Sequence, residues 1–180
     1  GMPDGDSVIQ LPWNKEIAWV ASDLYMDGNP VEASPRIALK RQIEKASKKG
    51  LYMKSGVECE FFLVNQDGTA LSDDKDIQSK PCYDSAALMR RYDVITEICD
   101  SMISLGWAPY QNDHEDANGQ FEMNWDFSDC LVTADRHAFF KFMVKSIAEK
   151  HSLRATFMPK PFTHLTGNGC HCHVSVWDKS

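Results

Sequence analysis

Two glutamates separated by one residue, Glu58 and Glu60, lie in an apolar stretch with the composition of a β-strand. Side chains two apart on a strand point to the same face of the sheet. Two carboxylates on one buried face repel each other, and a divalent cation between them is the simplest remedy. A solvated strand face is the ordinary alternative, so this pair alone does not identify a metal site.

A second acidic pair, Glu115 and Glu122, flanks the turn-forming segment Asn118-Gly119-Gln120. A turn at this segment would let the two flanking chains run side by side. The two carboxylates would then converge on one point. A polar hairpin without a ligand is the alternative interpretation.

The third candidate is the segment Gly167–Ser175, a glycine-rich loop followed by a predicted strand. One face of that strand carries His171, His173 and Ser175, and the other carries Cys170 and Cys172. A tetrahedral zinc site using both histidines and both cysteines would need ligands from two faces of one strand, so we reject it. The glycines permit close backbone approach to a ligand. Two buried histidines beside a tight turn are the alternative.

Taken together, the four glutamates and His171 favour Mg²⁺ or Mn²⁺ over zinc, because the ligands are mostly hard oxygens. Paired divalent ions on a carboxylate platform are typical of phosphoryl transfer from ATP. Sequence spacing by itself does not show that these strands meet.

The elements that must position these residues mix strands and helices. The predicted strands are Val8–Leu11, Ile17–Tyr25, Tyr52–Val64, Ala108–Gln111, Gly119–Phe127, Ala155–Met158 and Cys170–Trp177. The predicted helices run from Ser34-Pro35 to Gly50, from Asp84 or Ser85 to about Leu105, and from Ser128 to about His151. The expected buried sides of the last two are Leu88, Ile95, Cys99, Met102 and Ile103, and Ala134, Phe139, Phe142, Met143 and Ile147. Residues 65–82 are expected to form a surface loop.

The composition narrows the class of protein. The chain has 180 residues, 43% of them hydrophobic, and a formal net charge of -7, which argues against a nucleic-acid partner. No apolar run approaches membrane-spanning length, and the N-terminus lacks a signal-peptide pattern. Gly1 is interpreted as a tag scar before Met2. The six cysteines are expected to be reduced thiols in a cytoplasmic protein.

Several segments, in the same order and spacing, resemble the glutamine synthetase family. The matching segments are Gly56–Leu63 with its Glu-x-Glu-Phe-Phe core, His114–Glu122, Ala155–Pro161, and Gly167–Ser175 with its Gly-x-Gly-x-His-x-His-x-Ser pattern. The stretch Tyr110–Glu122 is most similar to the GlnT-like, or type III, branch, which includes γ-glutamylmethylamide synthetases.

The resemblance implies an α+β fold, like that of the glutamine synthetase and guanidino kinase catalytic domains. It predicts a largely antiparallel open sheet with helices on one side. Residues 1–180 would form a single, truncated catalytic domain without the family's N-terminal β-grasp domain and C-terminal remainder.

The resemblance also implies roles for individual residues. Glu60, Glu115 and Glu122 would hold the metal nearer glutamate and ammonia, and Glu58 and His171 the metal at the nucleotide phosphates. Trp125, Asp126, Phe127, His173 and Ser175 would contact ATP, and Gly167 the substrate glutamate. In this family ATP phosphorylates the γ-carboxylate of glutamate, and ammonia or a small amine displaces the phosphate. Mg²⁺ or Mn²⁺ supports that transfer.

The sequence also departs from the family. Members are much longer, and no complete catalytic set is present, so we expect no ligase turnover from the chain alone. Cys59 replaces the usual proline between the two glutamates, and Thr166 stands where many members have asparagine. A non-enzymatic binding or regulatory protein, or an incomplete reading frame, is the alternative. A homo-oligomer is expected.

Overall fold

The structure, a computed structural model, describes residues 1–178 of the chain. The strands are β1 (Met2–Pro3), β2 (Ile9–Leu11), β3 (Asn14–Trp19), β4 (Ser22–Asp23), β5 (Tyr25–Met26), β6 (Asn29–Pro30), β7 (Tyr52–Asn65), β8 (Pro109–His114), β9 (Gln120–Trp125), β10 (Ser128–Asp129), β11 (Leu153–Thr156) and β12 (Cys170–Trp177). The helices are α1 (Pro35–Ser47), α2 (Ser85–Arg90), α3 (Tyr92–Ser104) and α4 (Cys130–Lys150).

The main sheet has six strands, in the order β10–β7–β9–β8, with β11 and β12 also pairing with β7. The long strand β7 pairs antiparallel with β9, β10 and β11. Its second half is rich in aromatic and β-branched residues, which favour a buried strand. The predicted α+β class with a largely antiparallel sheet is confirmed.

The chain divides into two compact units. The first consists of Gly1–Gly56, Phe127–Phe139 and Cys172–Ser180, and the second of Val57–Asp126 and Phe140–His171. Strand β7 and helix α4 each contribute residues to both. The single domain over 1–180 stays a prediction, and its last two residues lie outside the described part of the chain.

An ion-pair network in the first unit centres on Arg36 in α1. Its guanidinium donates to Asp4 at 2.8 Å and to Asp23 at 2.6 Å. It also donates two hydrogen bonds of 2.9 Å to the carboxylate of Asp135 in α4. Lys40 bonds Asp4 and Asp23 from the next turn of α1. Hydrogen bonds from Arg36 and Lys40 lower the pKa of Asp4 to about 2, so this carboxylate stays ionised in mild acid.

Aromatic side chains fill the core of the second unit. The ring centroid of Phe61 lies 5.6–6.3 Å from those of Phe121, Phe140 and Phe157. Strand β9 is buried along its whole length, although its residues alternate in chemistry. Its odd-numbered residues Phe121, Met123 and Trp125 are large and apolar, and its even-numbered residues Gln120, Glu122 and Asn124 are polar. One face of the sheet is therefore a core, and the opposite face of β9 is a buried polar surface.

Two predicted elements are broken in the structure. The prediction of one continuous strand over Ile17–Tyr25 is wrong, because β3 ends at Trp19 and separate two-residue strands follow. The carbonyl of Ala21 accepts the Asp4 N–H at 2.9 Å, which turns the chain toward the N-terminal segment. The helix expected to run to Leu105 is interrupted at Arg91, whose φ and ψ are -119° and 18°. The Arg91 guanidinium instead reaches the hydroxyl and carbonyl oxygens of Ser72.

Some predicted helix faces are also wrong. Ile103 is 61% exposed, and Ala134 and Phe142 lie on the exposed side of α4. The buried side of α4 consists of Phe139, Phe140, Met143, Val144, Ile147 and Ala148. Those positions repeat as adjacent pairs every four residues, so Ala134 and Phe142 fall outside the stripe. Ser128 does not cap the helix, because it lies in β10, where it pairs with Ser55 of β7.

None of the six cysteines forms a disulfide bond within residues 1–178, and Cys59 and Cys130 are buried. Within residues 1–178, no helix combines the length and the apolar character needed to cross a membrane.

Candidate functional site

The register of the sheet places the predicted acidic residues of the second unit on one face. Glu60 lies directly opposite Glu122, and Glu58 lies opposite Asn124. On the other side of β9, Asp113 is paired with Glu122. Residues directly opposite in an antiparallel sheet point to the same face, with Cβ atoms about 5 Å apart. We call this surface the carboxylate face, and its acidic residues are Glu58, Glu60, Asp113, Glu115 and Glu122.

Three of these carboxylates form a tight group. The ligand atoms of Asp113, Glu115 and Glu122 all lie within 4.8 Å of one another. Glu115 follows the end of β8, where its N–H donates to the carbonyl of Gln120 at 2.9 Å. The hairpin thus brings Glu115 and Glu122 together, while Glu58 lies farther along β7. Asp113 was not singled out from the sequence, although the Asp113-x-Glu115 spacing is the same signal as Glu58-x-Glu60.

Gln120 connects Glu60 to the glycine-rich loop. Its side chain is fully buried, and its Nε2 atom lies 2.8 Å from Glu60 Oε2 and 3.0 Å from the carbonyl oxygen of Gly167. Its Oε1 atom accepts the Ala117 N–H at 3.0 Å, which fixes the orientation of the amide. Asn168 Oδ1 is a further acceptor at 3.0 Å. Gln120 therefore holds the Glu60 carboxylate in one orientation, a role the sequence did not reveal.

His171 lies beside Glu60 at the start of β12. A Cβ atom added to Gly169 would lie 2.8 Å from Glu60 Oε1 and 3.1 Å from His171 Nε2. The Gly169 N–H also donates to Glu60 Oε2 at 2.9 Å. A larger residue at position 169 would displace either the carboxylate or the imidazole. The lack of a side chain at Gly169 thus allows these two predicted metal ligands to approach each other.

Gly167 is equally constrained by its surroundings. A Cβ atom there would lie 2.4 Å from the carbonyl oxygen of Pro159, which is backbone and cannot move aside cheaply. The Asn168 N–H donates to the same carbonyl at 2.8 Å and closes the loop. The substrate contact predicted for Gly167 stays a prediction, and the bond from Gln120 already uses its carbonyl oxygen.

Two carboxyl groups of the carboxylate face resist ionisation. Burial, followed by the charges of Glu122 and Glu60, raises the pKa of Glu115 to about 7. Burial also raises the pKa of Glu122, with Glu58, Glu60 and Asp113 adding to the effect and the hydrogen bond from Asn124 opposing it. A group of acidic residues that repel each other in this way favours a bound cation.

The donor set fits a hard divalent cation. Three carboxylates lie within 4.8 Å of one another, and oxygen ligands are what Mg²⁺ and Mn²⁺ prefer. Asn124 donates to Glu122 Oε1 at 2.9 Å and is only 4% exposed. Its Oδ1 atom has no hydrogen-bond partner within residues 1–178, so this part of the face has an unsatisfied buried acceptor.

The predicted nucleotide-binding residues differ in their exposure to solvent. Trp125 is 3% exposed and packs on Phe140 in the core, so its indole is not available to a ligand. Asp126 and Phe127 are exposed. His173 and Ser175 lie on β12, whose residues are all exposed.

An exposed aromatic pair in the first unit involves Phe127. Its ring stacks on Trp177 with centroids 6.2 Å apart and an interplanar angle of 23°. The ammonium group of Lys54 lies 4.7 Å from the Trp177 ring centroid and 5.7 Å from that of Phe127. Sequence reasoning missed Lys54 and Trp177, because neither belongs to the motifs that carry the resemblance.

Known proteins match both the sequence and this geometry. A family model described as "Glutamine synthetase, catalytic domain" matches residues 32–180. A protein of Rhizobium leguminosarum bv. phaseoli named glutamine synthetase is 68% identical over 177 residues, which cover 98% of this chain. A protein of Methyloversatilis universalis named glutamate–methylamine ligase is 40% identical and covers 97% of this chain. A solved structure described as a GmaS/ADP complex superposes with a TM-score of 0.96 at 65% identity, over 98% of this chain.

The matches cover only part of each relative. The chain spans 41% of the length of the Rhizobium protein, 40% of the Methyloversatilis protein and 41% of the solved chain. The superposition confirms the predicted catalytic-domain fold. The family match over residues 32–180, together with these relatives, shows that the chain belongs to the glutamine synthetase catalytic-domain family.

Proposed function

We propose that the chain supplies the metal-binding and part of the nucleotide-binding surface of an ATP-dependent glutamate–amine ligase that acts through γ-glutamyl phosphate. The main support is the grouping of Asp113, Glu115 and Glu122 within 4.8 Å on one sheet face. Family membership supports the reaction class. The solved structure with ADP, 65% identical to this chain, supports a nucleotide ligand.

In this proposal the residues of the carboxylate face hold divalent ions and fix their positions. Glu60, Glu115 and Glu122 are the ligands on the substrate side, and Glu58 and His171 belong to the nucleotide side. Divalent ions held by these residues would supply positive charge to balance that of the phosphoryl group. Gln120 and the Gly169 N–H hold the Glu60 carboxylate in place without being ligands themselves.

The nucleotide is proposed to contact the exposed residues Asp126 and Phe127 and the polar residues His173 and Ser175 on β12. The stacked pair of Phe127 and Trp177 offers a flat apolar surface, on which an adenine base could stack. Trp125 is left out of this set, because its side chain lies in the core.

We infer that the chain belongs to the type III, γ-glutamylmethylamide synthetase-like branch. The support is the Tyr110–Glu122 stretch and the likeness to the protein named glutamate–methylamine ligase. The proposed acceptor is ammonia or a small amine such as methylamine, since relatives of both names match.

Calorimetric titration tests the proposal directly. The purified chain is expected to bind Mn²⁺, and to bind ATP measurably only when Mn²⁺ is present, because the ion screens the acidic face from the phosphates. Glutamine and γ-glutamylmethylamide formation should stay at background when glutamate, ATP and either amine are supplied. Failure to bind Mn²⁺ would refute the metal role. Sustained product formation would refute the expected inactivity of the isolated chain.

The affinity for Mn²⁺ is expected to increase about tenfold between pH 6 and pH 8. Glu115 has a pKa raised to about 7, and a metal ion binds only its deprotonated form, so protons compete below that pH. In the absence of metal, a rise in pH acts in the unfavourable direction, on the stability of the fold. The folded chain holds this proton more tightly than the unfolded chain, so the contribution of Glu115 to stability falls as the pH rises from 4.5 through 7.

Titrations at pH 6 and pH 8, with urea unfolding of the metal-free chain at the same two values, measure both effects. An Mn²⁺ affinity that does not change over this range would exclude Glu115 from the binding group.

A further inference from the structure

One buried carboxylate outside the carboxylate face contacts the hairpin that builds it. Asp76 lies in the long connection between β7 and α2 and is 4% exposed. Its Oδ2 atom lies 2.6 Å from His114 Nε2 and accepts the Gly119 N–H at 2.6 Å. Its Oδ1 atom accepts a hydrogen bond from Asn118 Nδ2 at 2.9 Å. A single side chain thus binds three residues of the β8–β9 hairpin.

The Asp76 carboxylate and the His114 ring are hydrogen-bonded to each other, and both side chains are buried. His114 is 1% exposed, and its Nδ1 atom lies 3.2 Å from the carbonyl oxygen of Pro81, which can only accept. Burial raises the pKa of Asp76, but bonds from Asn118, the Gly119 N–H and His114 outweigh it and lower the pKa. The lowered pKa keeps Asp76 ionised at neutral pH, and its carboxylate accepts hydrogen bonds from Asn118 and from the Gly119 N–H. A carboxylate that accepts several directed hydrogen bonds has a defined geometry.

The segment that Asp76 holds determines where the metal ligands lie. Glu115 directly follows His114, and Gln120 directly follows Gly119. Gly119 has a φ of +69°, a conformation that favours glycine, and a Cβ atom there would lie 3.0 Å from Leu71. Movement of this turn would shift Glu115 relative to Glu122, and would turn the Gln120 amide away from Glu60.

We propose that Asp76 is a positioning residue of the carboxylate face: by binding His114, Asn118 and the Gly119 N–H, it fixes the turn that sets the spacing of Glu115 and Glu122. The inference rests on the proposed function, since it concerns the metal affinity of the same face. Asp76 contributes no ligand atom. It acts through the hairpin, as partners of metal ligands do when they fix ligand orientation.

Asp73 provides a matched control in the same connection. It is 7% exposed, and its carboxylate accepts from Arg90 Nε at 2.5 Å and from the Lys75 N–H at 3.1 Å. Like Asp76, it is a buried carboxylate that accepts side-chain and backbone hydrogen bonds, but within residues 1–178 those bonds do not involve the β8–β9 hairpin. Asp73→Asn removes an equivalent charge without loosening the turn.

The experiment compares Asp76→Asn, Asp73→Asn and the unmodified chain. Calorimetry with Mn²⁺ alone is expected to show about tenfold weaker binding for Asp76→Asn and a change of less than about twofold for Asp73→Asn. Hydrogen exchange should become faster at the Gly119 amide only in Asp76→Asn. Urea unfolding of both variants separates this effect from general destabilisation.

The possible outcomes are distinguishable. If the unmodified chain binds Mn²⁺ and Asp76→Asn binds it equally well, the positioning role is refuted and the proposed function stands. Equal losses of affinity in both variants would also refute it, because they would reflect lost stability alone. If the unmodified chain binds no Mn²⁺, the proposed metal role fails and the positioning role fails with it.

Discussion

Replacement of Glu122 by glutamine is expected to weaken Mn²⁺ binding by at least about 100-fold. Removing a hydrogen-bond partner of a metal ligand already lowers metal affinity by about 10–100-fold. Glu122 is proposed to be a ligand itself, so its loss should have a larger effect. Glutamine has the same shape and can still accept the hydrogen bond from Asn124, so the fold should be kept. The same substitution should stabilise the metal-free chain, because it removes one of the repelling charges that raise the pKa of Glu115.

The test is specific because Glu122→Gln is expected to weaken Mn²⁺ binding and, at the same time, to stabilise the metal-free chain. Mn²⁺ titration and urea unfolding without metal would be measured on one preparation of each variant. Glu149→Gln, at an exposed position near the end of α4, makes the same charge change and should alter neither quantity by much. A Glu122→Gln chain that keeps the affinity of the unmodified chain would remove the basis of the proposed function.

Replacement of Arg36 by methionine is expected to lower the free energy of unfolding by about 2 kcal/mol at pH 7, between the values typical of exposed and fully buried ion pairs. The variant leaves Asp135 without its two 2.9 Å hydrogen bonds from Arg36 and leaves Lys40 as the cation that pairs with Asp4 and Asp23. Methionine keeps most of the aliphatic volume, so the loss reports on charge and hydrogen bonding.

The difference from the unmodified chain should depend on pH. The pKa of Asp4 is lowered from 3.8 to about 2, so its contribution is present above pH 3.8 and is lost as the pH falls through 2. The gap between the two chains should therefore narrow in strong acid. Arg41→Met is the control, because Arg41 lies on the same helix and forms its ion pair with the exposed Glu32. Equal losses from both substitutions would contradict a special role for Arg36.

The sequence predicted the strands that carry the chemistry better than the breaks between elements. The second half of β7 is dense in aromatic and β-branched residues, and Asn118-Gly119 is a strong turn signal, so both features are local. The break between α2 and α3 is not local. It occurs where Arg91 bonds Ser72, 19 residues earlier in the chain, and no helical periodicity reports such a contact.

In the candidate site, too, features that depend on local spacing were predictable, and features that depend on distant contacts were not. Because side chains alternate along a strand, the spacing of Glu58 and Glu60 predicted that they share a face. The turn between Glu115 and Glu122 predicted that these two lie close together. The same rule applied to Asp113 would have found the third member of the group. Asp76 could not be found this way, because it lies in a connection whose composition predicts a solvated loop. Its burial results from bonds to residues 38–43 positions away.

The alternation along β9 restricts which changes in chain length the protein can tolerate. Adding or removing one codon inside this strand would exchange its two sets of side chains, turning Glu122 and Asn124 toward the aromatic core and Phe121 and Met123 toward the carboxylate face. Such a change would abolish folding and the proposed ion binding in one event. Insertions and deletions should therefore accumulate in the connection after β7, away from Asp76, and be absent from β9.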